Sequence, residues 1–456
     1  MPSNVSHRDR NRFSAQRHTR AGRFALMPCM AALLLPVSLA AQSETPTTTG
    51  PDVTIMTLGS ISNWGSDSGV RGYSVGTTSC NIGNAPIAWC DSGGCSGLAN
   101  NDHPVIAQGL YRLKNNRFEQ IGMSWLKHGW LATNTPSGSC GSCVTPPGGG
   151  DQLGIGCTDT YNSGLNGGSG NPGTCDGASG EGCRLGQRSA VNAATGDFVM
   201  PYHDVSHTSV IAQRIQVKET DLDPTLNPGA TYYIEGQYIA GDDSAANNAA
   251  NNASYRRVTV GGAPSFNLTL ADTTVRERSA LAAWVAADAT VEFLAVDIPG
   301  SNPVEHFEVA RRVSSVDIDT WHYEYAIRNN NSDRSAQAFE VRFPNGTPIA
   351  NVGFHDIDHH SGEPYSTLDW APTVTPATGT VSWSTTTFAS DPNSNALRFA
   401  TMFTYWFDAD SETPVSHTLT FFKPGSPPSV TFWADNTIFI DGFGSEDTSA
   451  WSATFP

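Results

Sequence analysis

The sequence predicts an all-β fold in which a disulfide-stapled, β-rich N-terminal domain precedes an immunoglobulin-like β-sandwich. Eight cysteines fall between Cys80 and Cys183, in a stretch rich in Gly, Ser and Asn. From Asp52 to about Val260, short apolar stretches are separated by Gly and Asn turns, which is typical of strands joined by loops. Further on, "TWHYEYAIRN" alternates aromatic and polar residues with the period of a half-buried strand.

The first 41 residues predict a secretory signal peptide. Six arginines precede the apolar run "FALMPCMAALLLPVSLAA", and cleavage is expected near Ala40 or Ala41. The run is short for a membrane span, and a single N-terminal anchor is the alternative. We expect residues 42–51 to be a linker and the mature chain to be soluble, without a membrane span.

The excess of acidic over basic residues limits the kinds of molecule that the protein can bind. The chain has 26 basic and 43 acidic residues, a formal net charge of −17. Without the signal peptide, 20 basic residues remain against 42 acids, which gives −22. Such an acidic surface repels nucleic acid and anionic lipid, so we expect no nucleic-acid partner.

The cysteines of the mature chain predict up to four disulfides, because an even number in an oxidising compartment indicates a disulfide framework. Two alternatives stay open. Cys140 and Cys143 in "SCGSCV" have the spacing of a redox pair, and the eight together could hold zinc. The eight are Cys80, Cys90, Cys95, Cys140, Cys143, Cys157, Cys175 and Cys183.

The pattern after the linker divides the chain into four parts. A helix is predicted at "TTVRERSALAAWVAAD", and about seven strands are expected from Glu305 to Lys423, the count of an immunoglobulin-like sandwich. The parts are a cysteine-rich β domain (52–270), a helical connector (271–303), the β-sandwich domain (304–425) and a C-terminal tail (426–456).

Two stretches carry a resemblance. The end of the chain, "IFIDGFGSEDTSAWSATFP", resembles the "IFxDGFExGDTSAWS" tail of many exported gammaproteobacterial proteins, although Gly444 stands where an acid is usual. The stretch from "GTTSCNIGNAPIAW" to "RFEQIGMSWLKHGW" is similar to the N-terminal part of a group of uncharacterised exported bacterial proteins. The resemblance implies secretion, or a place at the cell surface or in the periplasm of a Gram-negative bacterium, and no activity.

Histidines of the N-terminal domain are candidate ligands for zinc or copper. They are His103 in "NDHPVIAQ" and His203 and His207 in "PYHDVSHTS", where Asp204 could add an oxygen. His203 and His207 meet on a helix but lie about 13 Å apart on a strand, and a turn is the expected setting. Two solvated loop histidines are the alternative.

Lys127 and His128 in "SWLKHGW" are candidate catalytic residues. An imidazole titrates near working pH and can act as a general base, and the lysine can stabilise developing negative charge. Neighbours on a strand point to opposite faces, so both side chains face one cleft only if the chain turns at Gly129. The alternative is a strand end with solvated polar residues.

Three loops could bind other ions. Residues 239–257 and "FDADSE" are rich in carboxylate and amide oxygens, which suit calcium, although Asn and Asp are also common in turns. The stretch "NVGFHDIDHHSGEPY" places Asp358 and His360 about 6.6 Å apart if extended. We expect it to be a solvated loop of the sandwich, with metal binding as the alternative.

Two functions remain. The first is an exported metal-dependent enzyme, a hydrolase or a copper oxidoreductase, acting on an extracellular polymer. The second is a non-catalytic surface adhesion or carbohydrate-binding protein with calcium-stabilised loops, whose partner is an extracellular polymer or a cell-surface component. Convergence of His103, His128, His203 and His207 would favour the enzyme, and scattered histidines would favour the binding protein.

Overall fold

The computed structural model describes residues 48–90, 102–168, 185–198 and 207–433. The chain divides into a first unit, Met1–Gln42, and a second, Ser43–Pro456, to which all described residues belong. The predicted signal peptide and the tail motif lie outside the described residues. Within the described ranges, no helix has the length and apolar character needed to cross a bilayer.

The N-terminal part of the second unit is built from strands and a few helical turns. Its strands are β1 (Val53–Asp67), β2 (Val70–Asn81), β3 (Ile87–Ala88), β4 (Val105–Lys114), β5 (Arg117–Met123), β6 (Leu126–His128), β7 (Thr135–Pro136), β8 (Gln152–Leu153), β9 (Cys157–Tyr161), β10 (Leu185–Gly186), β11 (Ile215–Lys218), β12 (Thr231–Ile239), β13 (Ala253–Val260) and β14 (Leu268–Leu270). The short helices are α1 (Ser163–Asn166), α2 (Glu219–Leu222) and α3 (Gly241–Ala245), with 3₁₀ turns at Gly149–Asp151, Arg188–Ala190 and Ala249–Asn251.

In the part of the chain that the structure describes, twelve of these strands form one sheet. Its order is β14-β13-β12-β4-β5-β11-β2-β9-β7, with β1 on β2, β6 on β4 and β10 on β6. The β1–β2 hairpin turns at Ser68 and Gly69, which both have positive φ (53° and 80°), the conformation that suits the twist of a two-residue hairpin. Ile55 of the hairpin packs onto Gly236 of β12, where a Cβ would lie 2.7 Å from the Ile55 side chain.

Disulfides hold the loops of this sheet. Cys80 at the end of β2 is bonded to Cys140, and Cys143 is bonded to Cys157 at the start of β9. Each cysteine of the "SCGSCV" pair therefore belongs to a different bridge, which excludes a Cys140–Cys143 redox pair in this structure. The disulfide prediction is confirmed for these four residues. Cys95, Cys175 and Cys183 lie outside the described residues.

The C-terminal part is a β-sandwich of two five-stranded sheets, ordered β15-β16-β17-β22-β19 and β20-β21-β18-β23-β24 over the described residues. Tyr325 and Tyr405 of the first sheet and Phe339 and Trp383 of the second are fully buried between them. The strands are β15 (Glu292–Asp297), β16 (His306–Ser315), β17 (Trp321–Asn329), β18 (Ala336–Arg342), β19 (Ile349–His355), β20 (Ala371–Thr375), β21 (Thr380–Ser384), β22 (Thr401–Ala409), β23 (Ser416–Phe421) and β24 (Ser429–Phe432), with a 3₁₀ turn at Pro376–Thr378.

This architecture confirms the predicted all-β class, with a disulfide-stapled β part before a sandwich. The sandwich has more strands than predicted, because β15 lies in the segment expected to be a helical connector and β24 lies in the expected tail. The helix of the connector, α4 (Leu281–Ala287), is shorter than "TTVRERSALAAWVAAD". The first half of the predicted stretch is not helical, because Val275 exchanges backbone hydrogen bonds with Tyr255 of β13.

The two parts meet at a buried apolar junction. The outer face of the β16–β17–β22 sheet presents Ala326 and Met402, which belong to one cluster with Tyr111 of β4, Phe118 of β5 and Trp284 of α4. The Phe118 ring stacks on Trp284, with ring centroids 6.4 Å apart. The sandwich therefore packs against the first sheet through the β4–β5 hairpin and α4.

Arg328 of β17 lies at the centre of this junction and is fully buried. Its guanidinium donates to Glu235 (2.9 Å) and Gln237 (2.7 Å) of β12 and to Asn330 (2.6 Å), and it lies 3.5 Å from Glu308 of β16. A buried cation is tolerated only when it is paired and its donors are satisfied. One side chain thus links strands of both sheets through two carboxylates.

The two carboxylates are satisfied by further donors. Glu235 accepts from the Tyr111 hydroxyl (3.1 Å) and from the Ala280 backbone amide (2.6 Å), just before α4. Glu308 accepts from the Ser279 hydroxyl. The connector is therefore fixed by the same network that joins the two sheets.

We expect Arg328→Met to lower the free energy of unfolding by about 3–5 kcal/mol, because it leaves Glu235 and Glu308 buried without a cation. Urea unfolding of the full chain measures this. Arg257→Met, which breaks the exposed pair with Asp272, is the control and should leave the urea midpoint nearly unchanged. Equal losses in the two variants would contradict the central role of Arg328.

Candidate functional site

His103 and His128 lie side by side in the interior. Val105 of β4 pairs with His128 of β6, which brings His103, just before β4, against the His128 ring. His103 Nε2 is 3.0 Å from His128 Nδ1, and the two residues are 5% and 2% exposed. The Phe198 ring covers both imidazoles, with centroid distances of 4.8 and 4.7 Å. The structure thus brings together two of the histidines singled out in the sequence.

The hydrogen bonds of the pair define a tautomer. His103 Nδ1 is 2.9 Å from the carbonyl oxygen of Cys90, which can only accept, so Nδ1 carries a proton. In a neutral His103 ring, Nε2 then accepts the proton of His128 Nδ1. Burial lowers the pKa of His128 well below its ordinary value, and the charges of His103 and Lys127 lower it further. The neutral form of His128 is the form that ligates a metal.

Lys127 has a separate setting. Its ammonium lies 3.7 Å from the centre of the Trp130 ring and 4.4 Å from that of Tyr161, and it donates to the backbone carbonyl of His128. Lys127 is fully buried. Adjacent residues of β6 point to opposite faces, so Lys127 packs on aromatic rings while His128 faces His103.

The other predicted metal ligands are not joined to this pair by any contact described. His207 packs edge-on against Trp125, with ring centroids 5.6 Å apart. His203 and Asp204 lie outside the described residues. Over the described ranges, no group of three or more His, Cys, Asp or Glu residues could hold a metal ion. Of the four histidines predicted to converge, the structure places His103 against His128 and His207 against Trp125, and His203 lies outside the described residues.

A cleft of ≈ 550 Å³ opens beside His103. Its wall is acidic, with Asp102, Asp197 and Asp242 among the lining residues, and Gly196 and Gly241 bring backbone to its surface. The cleft gives a small cationic or neutral molecule a route to the edge of the histidine pair.

The Asp/Asn loop is used largely for hydrogen bonds to backbone. Asp242 accepts from the Ala88 amide (2.8 Å), and Asn247 accepts from the Val304 amide (2.9 Å). Asn248 donates to the carbonyls of Thr49 (3.0 Å) and Pro51 (2.7 Å). These side chains fasten neighbouring segments to α3 and to the 3₁₀ turn after it.

The second oxygen-rich loop, "FDADSE", is also engaged with protein groups. Asp408 lies 2.5 Å from His322 Nδ1, and the other ring nitrogen of His322 lies 2.9 Å from Glu324. Asp410 accepts from the Thr320 hydroxyl (2.8 Å). Hydrogen bonding to Glu324 raises the pKa of His322, which makes the ring a cation between two carboxylates near neutral pH.

The histidine-rich stretch 351–365 is the end of β19 and a loop that docks on the first sheet. His355 donates to the Gln120 carbonyl (3.0 Å) and His360 to the Met123 carbonyl (2.8 Å), both on β5. Asp358 pairs with Lys218 at 3.3 Å instead of sharing an ion with His360. The loop prediction holds, but the loop is an interdomain contact and not a purely solvated segment.

Buried groups of this loop have shifted pKa values. Burial lowers the pKa of His360 to about 4 and that of His359 well below its ordinary value. Burial also raises the pKa of Asp356 to about 6, although Asn395 donates to its carboxylate. His359 and His360 are therefore neutral at neutral pH, and His360 uses its ring nitrogens for hydrogen bonds to Ser361 and Met123.

A second, larger groove of ≈ 660 Å³ lies at one end of the sandwich. Trp321 at the start of β17 and Trp433 just after β24 line it, together with Arg311 of β16. Arg311 lies 4.4 Å from the Trp433 ring centre and pairs with Glu292 at 2.5 Å. The remaining lining residues are Val313, Ser314, Ser315, Glu412, Thr413 and Pro414.

Sequence reasoning missed this groove. Trp321 belongs to the alternating aromatic strand, and Trp433 lies in the predicted tail. Both are only half-buried, and both cover the sandwich core on one side. A signal was present in the position of Trp321, since an indole at the first residue of a strand lies at the rim of a sheet.

No protein-family model matches this chain, and a search of curated proteins finds no significant relative.

We expect His360→Gln to weaken the pH dependence of stability. Between about pH 6.5 and 4 the unfolded chain binds a proton at His360 that the folded chain does not, so the free energy of unfolding falls as the pH falls. From pH 7 to 5 the variant should lose about 2 kcal/mol less than the wild type, measured by urea unfolding.

His322→Gln gives the opposite sign. The raised pKa of His322 contributes stability that is present below its unfolded pKa and is lost as the pH rises through the folded one. This variant should therefore lose more stability than the wild type from pH 7 to 5. Parallel pH profiles for wild type and both variants would contradict the assigned protonation states.

Proposed function

We propose that this protein is exported and binds a neutral extracellular polysaccharide through the sandwich groove. The observation that carries the proposal is the presence of two half-buried indoles, Trp321 and Trp433, in the lining of one groove of ≈ 660 Å³. The apolar faces of sugar rings pack on aromatic rings, and a groove open along its length accommodates a polymer. The Cys80–Cys140 and Cys143–Cys157 bridges support export, because disulfides persist in oxidising compartments.

The polar lining suits hydroxyl groups. Glu292 and Glu412 present acceptors, and Ser314 and Ser315 present hydroxyls. Arg311 Nε has no hydrogen-bond partner among the described residues, although the guanidinium pairs with Glu292 elsewhere. Because this nitrogen is closed to solvent, a sugar oxygen in the groove would meet the other guanidinium nitrogens of Arg311, which are also donors.

Net charge narrows the class of polysaccharide. The chain carries −17, and two acids line the groove. An acidic protein repels polyanions at long range, so uronic-acid-rich or sulfated polymers are disfavoured. Neutral glucans, mannans, xylans or chitin-type chains fit this balance.

Trp321→Ala should weaken binding to the retained polysaccharide at least about tenfold, ~1.4 kcal/mol, because it removes a stacking surface at the groove. Affinity electrophoresis against a panel of neutral polysaccharides identifies the ligand, and calorimetry measures the affinity. Leu368→Ala is the matched control, since Leu368 is 75% exposed and lies outside the groove. Retention of none of the panel, or equal affinity in Trp321→Ala and wild type, would reject the proposal.

A metal-dependent enzyme is the second candidate function, and the His103–His128 pair favours it. Two nitrogens that each lie ~2.0–2.1 Å from one ion are about 3.3 Å apart at the tetrahedral angle of zinc and about 2.9 Å apart at the right angle of square-planar copper. The observed 3.0 Å is close to the copper value, and an ion would replace the proton between the two rings once the proton of His128 moves from Nδ1 to Nε2. The Cys90 carbonyl accepts a hydrogen bond from His103 Nδ1 and so orients the ring. Metal-bound histidines are commonly oriented by such a hydrogen bond from the nitrogen that does not bind the metal. The pair could hold an ion, which would polarise a bond or activate water.

Elemental analysis of the exported protein tests this candidate. We expect close to one zinc or copper per chain in the wild type, its loss in His103→Gln, and its retention in the control His355→Gln, whose ring contacts β5. Transition metal absent from the wild type, or unchanged in His103→Gln, would remove the enzyme candidate. Neither result affects the groove, which is a separate site.

A further inference from the structure

The chain that leads into β1 docks against the loop after α3. The Asn248 amide donates to the carbonyls of Thr49 and Pro51, and the Thr54 hydroxyl donates to the Asn251 carbonyl at 3.0 Å. The Val53 amide donates to Asp243 at 2.9 Å. Residues 49–54 are thereby held along residues 243–252, almost 200 positions further along the chain.

Four side chains with oxygen ligands meet at this contact. Asn251 Nδ2 lies 3.3 Å from Asp52 Oδ2, and Asn252 Nδ2 lies 2.8 Å from Asp243 Oδ2. Asp52, Asp243 and Asn252 are each 0% exposed. Asp243 accepts from the backbone amide of Val53, the residue after Asp52, so the two carboxylates lie on adjoining segments.

Three oxygens of this group have no hydrogen-bond donor in the described structure: Asp52 Oδ1, Asn251 Oδ1 and Asn252 Oδ1. Each is inaccessible to solvent. A buried oxygen without a donor destabilises the folded state, more so when it is charged, so such groups rarely remain without a partner.

The two carboxylates also lack a cationic partner. Among the described residues, no ion pair includes Asp52 or Asp243. The hydrogen bonds described for these two carboxylates come from neutral groups, namely the Asn251 and Asn252 amides and the Val53 backbone.

We propose that Asp52, Asp243, Asn251 and Asn252 bind a calcium ion. Two carboxylates balance a divalent charge, and the unpartnered amide and carboxylate oxygens are the hard ligands that calcium takes in sets of about 6–8. Magnesium keeps several waters in its shell, which a site closed to solvent does not favour. Asp52 directly precedes β1, whereas the other three ligands lie in α3 and in the turn after it. The ion would therefore connect the start of β1 to α3 and the following turn.

The site is independent of the polysaccharide groove and of the histidine pair. With only two carboxylates, its dissociation constant is expected near the 10⁻⁴–10⁻³ M of extracellular calcium modules. Binding to the folded chain alone should raise its thermal midpoint by about 2–5 °C in about 10 mM calcium chloride relative to chelator. Magnesium chloride at the same ionic strength should have a smaller effect.

Equilibrium dialysis of the full exported chain against calcium, with the thermal midpoint measured in parallel, tests the proposal. We expect close to one calcium bound per chain, lost together with the thermal shift in Asp52→Asn. Asp410→Asn is the matched control, because Asp410 is an acid of the other oxygen-rich loop and bonds Thr320. It should keep both the ion and the shift.

Asn251→Asp is a second test variant, needed because Asp52→Asn could lose calcium binding simply by failing to fold. It adds a third carboxylate and should tighten calcium binding about tenfold if the site is real. Calcium bound equally by Asp52→Asn and wild type, affinity unchanged in Asn251→Asp, or no calcium bound by the wild type would each overturn the proposal. In the last case the carboxyl groups are protonated or bridged by water.

Discussion

The fully buried guanidinium of Arg328 is the constraint on which the arrangement of the two β parts depends. It connects β12 of the first sheet with β16 and β17 of the sandwich through Glu235 and Glu308. Because a buried charge tolerates little displacement from its partners, the two sheets have one relative position. The apolar contacts of Phe118 and Trp284 add stability to that position but would also permit small shifts. The groove at the far end of the sandwich and the cleft beside His103 are thus parts of one fixed body.

The histidines illustrate how far a residue type and its role can diverge. In the stretch 351–365, imidazoles donate to backbone carbonyls of β5 and join the sandwich to the first sheet. His417 is buried next to the Tyr325 hydroxyl inside the sandwich, where burial lowers its pKa to about 3. His322, in contrast, lies between two carboxylates, and its pKa is raised. The His103–His128 pair is distinguished by its nitrogen-to-nitrogen contact and not by the local density of histidines.

The parts of this structure that follow from local pattern were predictable, and those that depend on distant partners were not. Alternation in "TWHYEYAIRN" identified β17, and the cysteine-rich stretch identified the stapled loops. The helix of the connector was too long in the prediction, because Val275 finds a strand partner in Tyr255 that no local rule supplies. Asp52 was not connected with the Asp/Asn loop for the same reason, since about 190 residues separate them in sequence. The groove is lined by Trp321 next to one sheet and Trp433 next to the other, and no sequence motif predicts that two such distant residues line the same groove.

The two disulfides formed by Cys140 and Cys143 affect what happens to the chain after proteolytic cleavage. Residues 81–139 are enclosed by the Cys80–Cys140 bridge, and residues 144–156 by the Cys143–Cys157 bridge. A single backbone cut within either enclosed segment leaves the two fragments covalently joined. The β2–β9 pairing between these bridges also keeps the fragments in register. The glycine-rich stretches inside these two segments can therefore be cleaved once without the chain losing a piece.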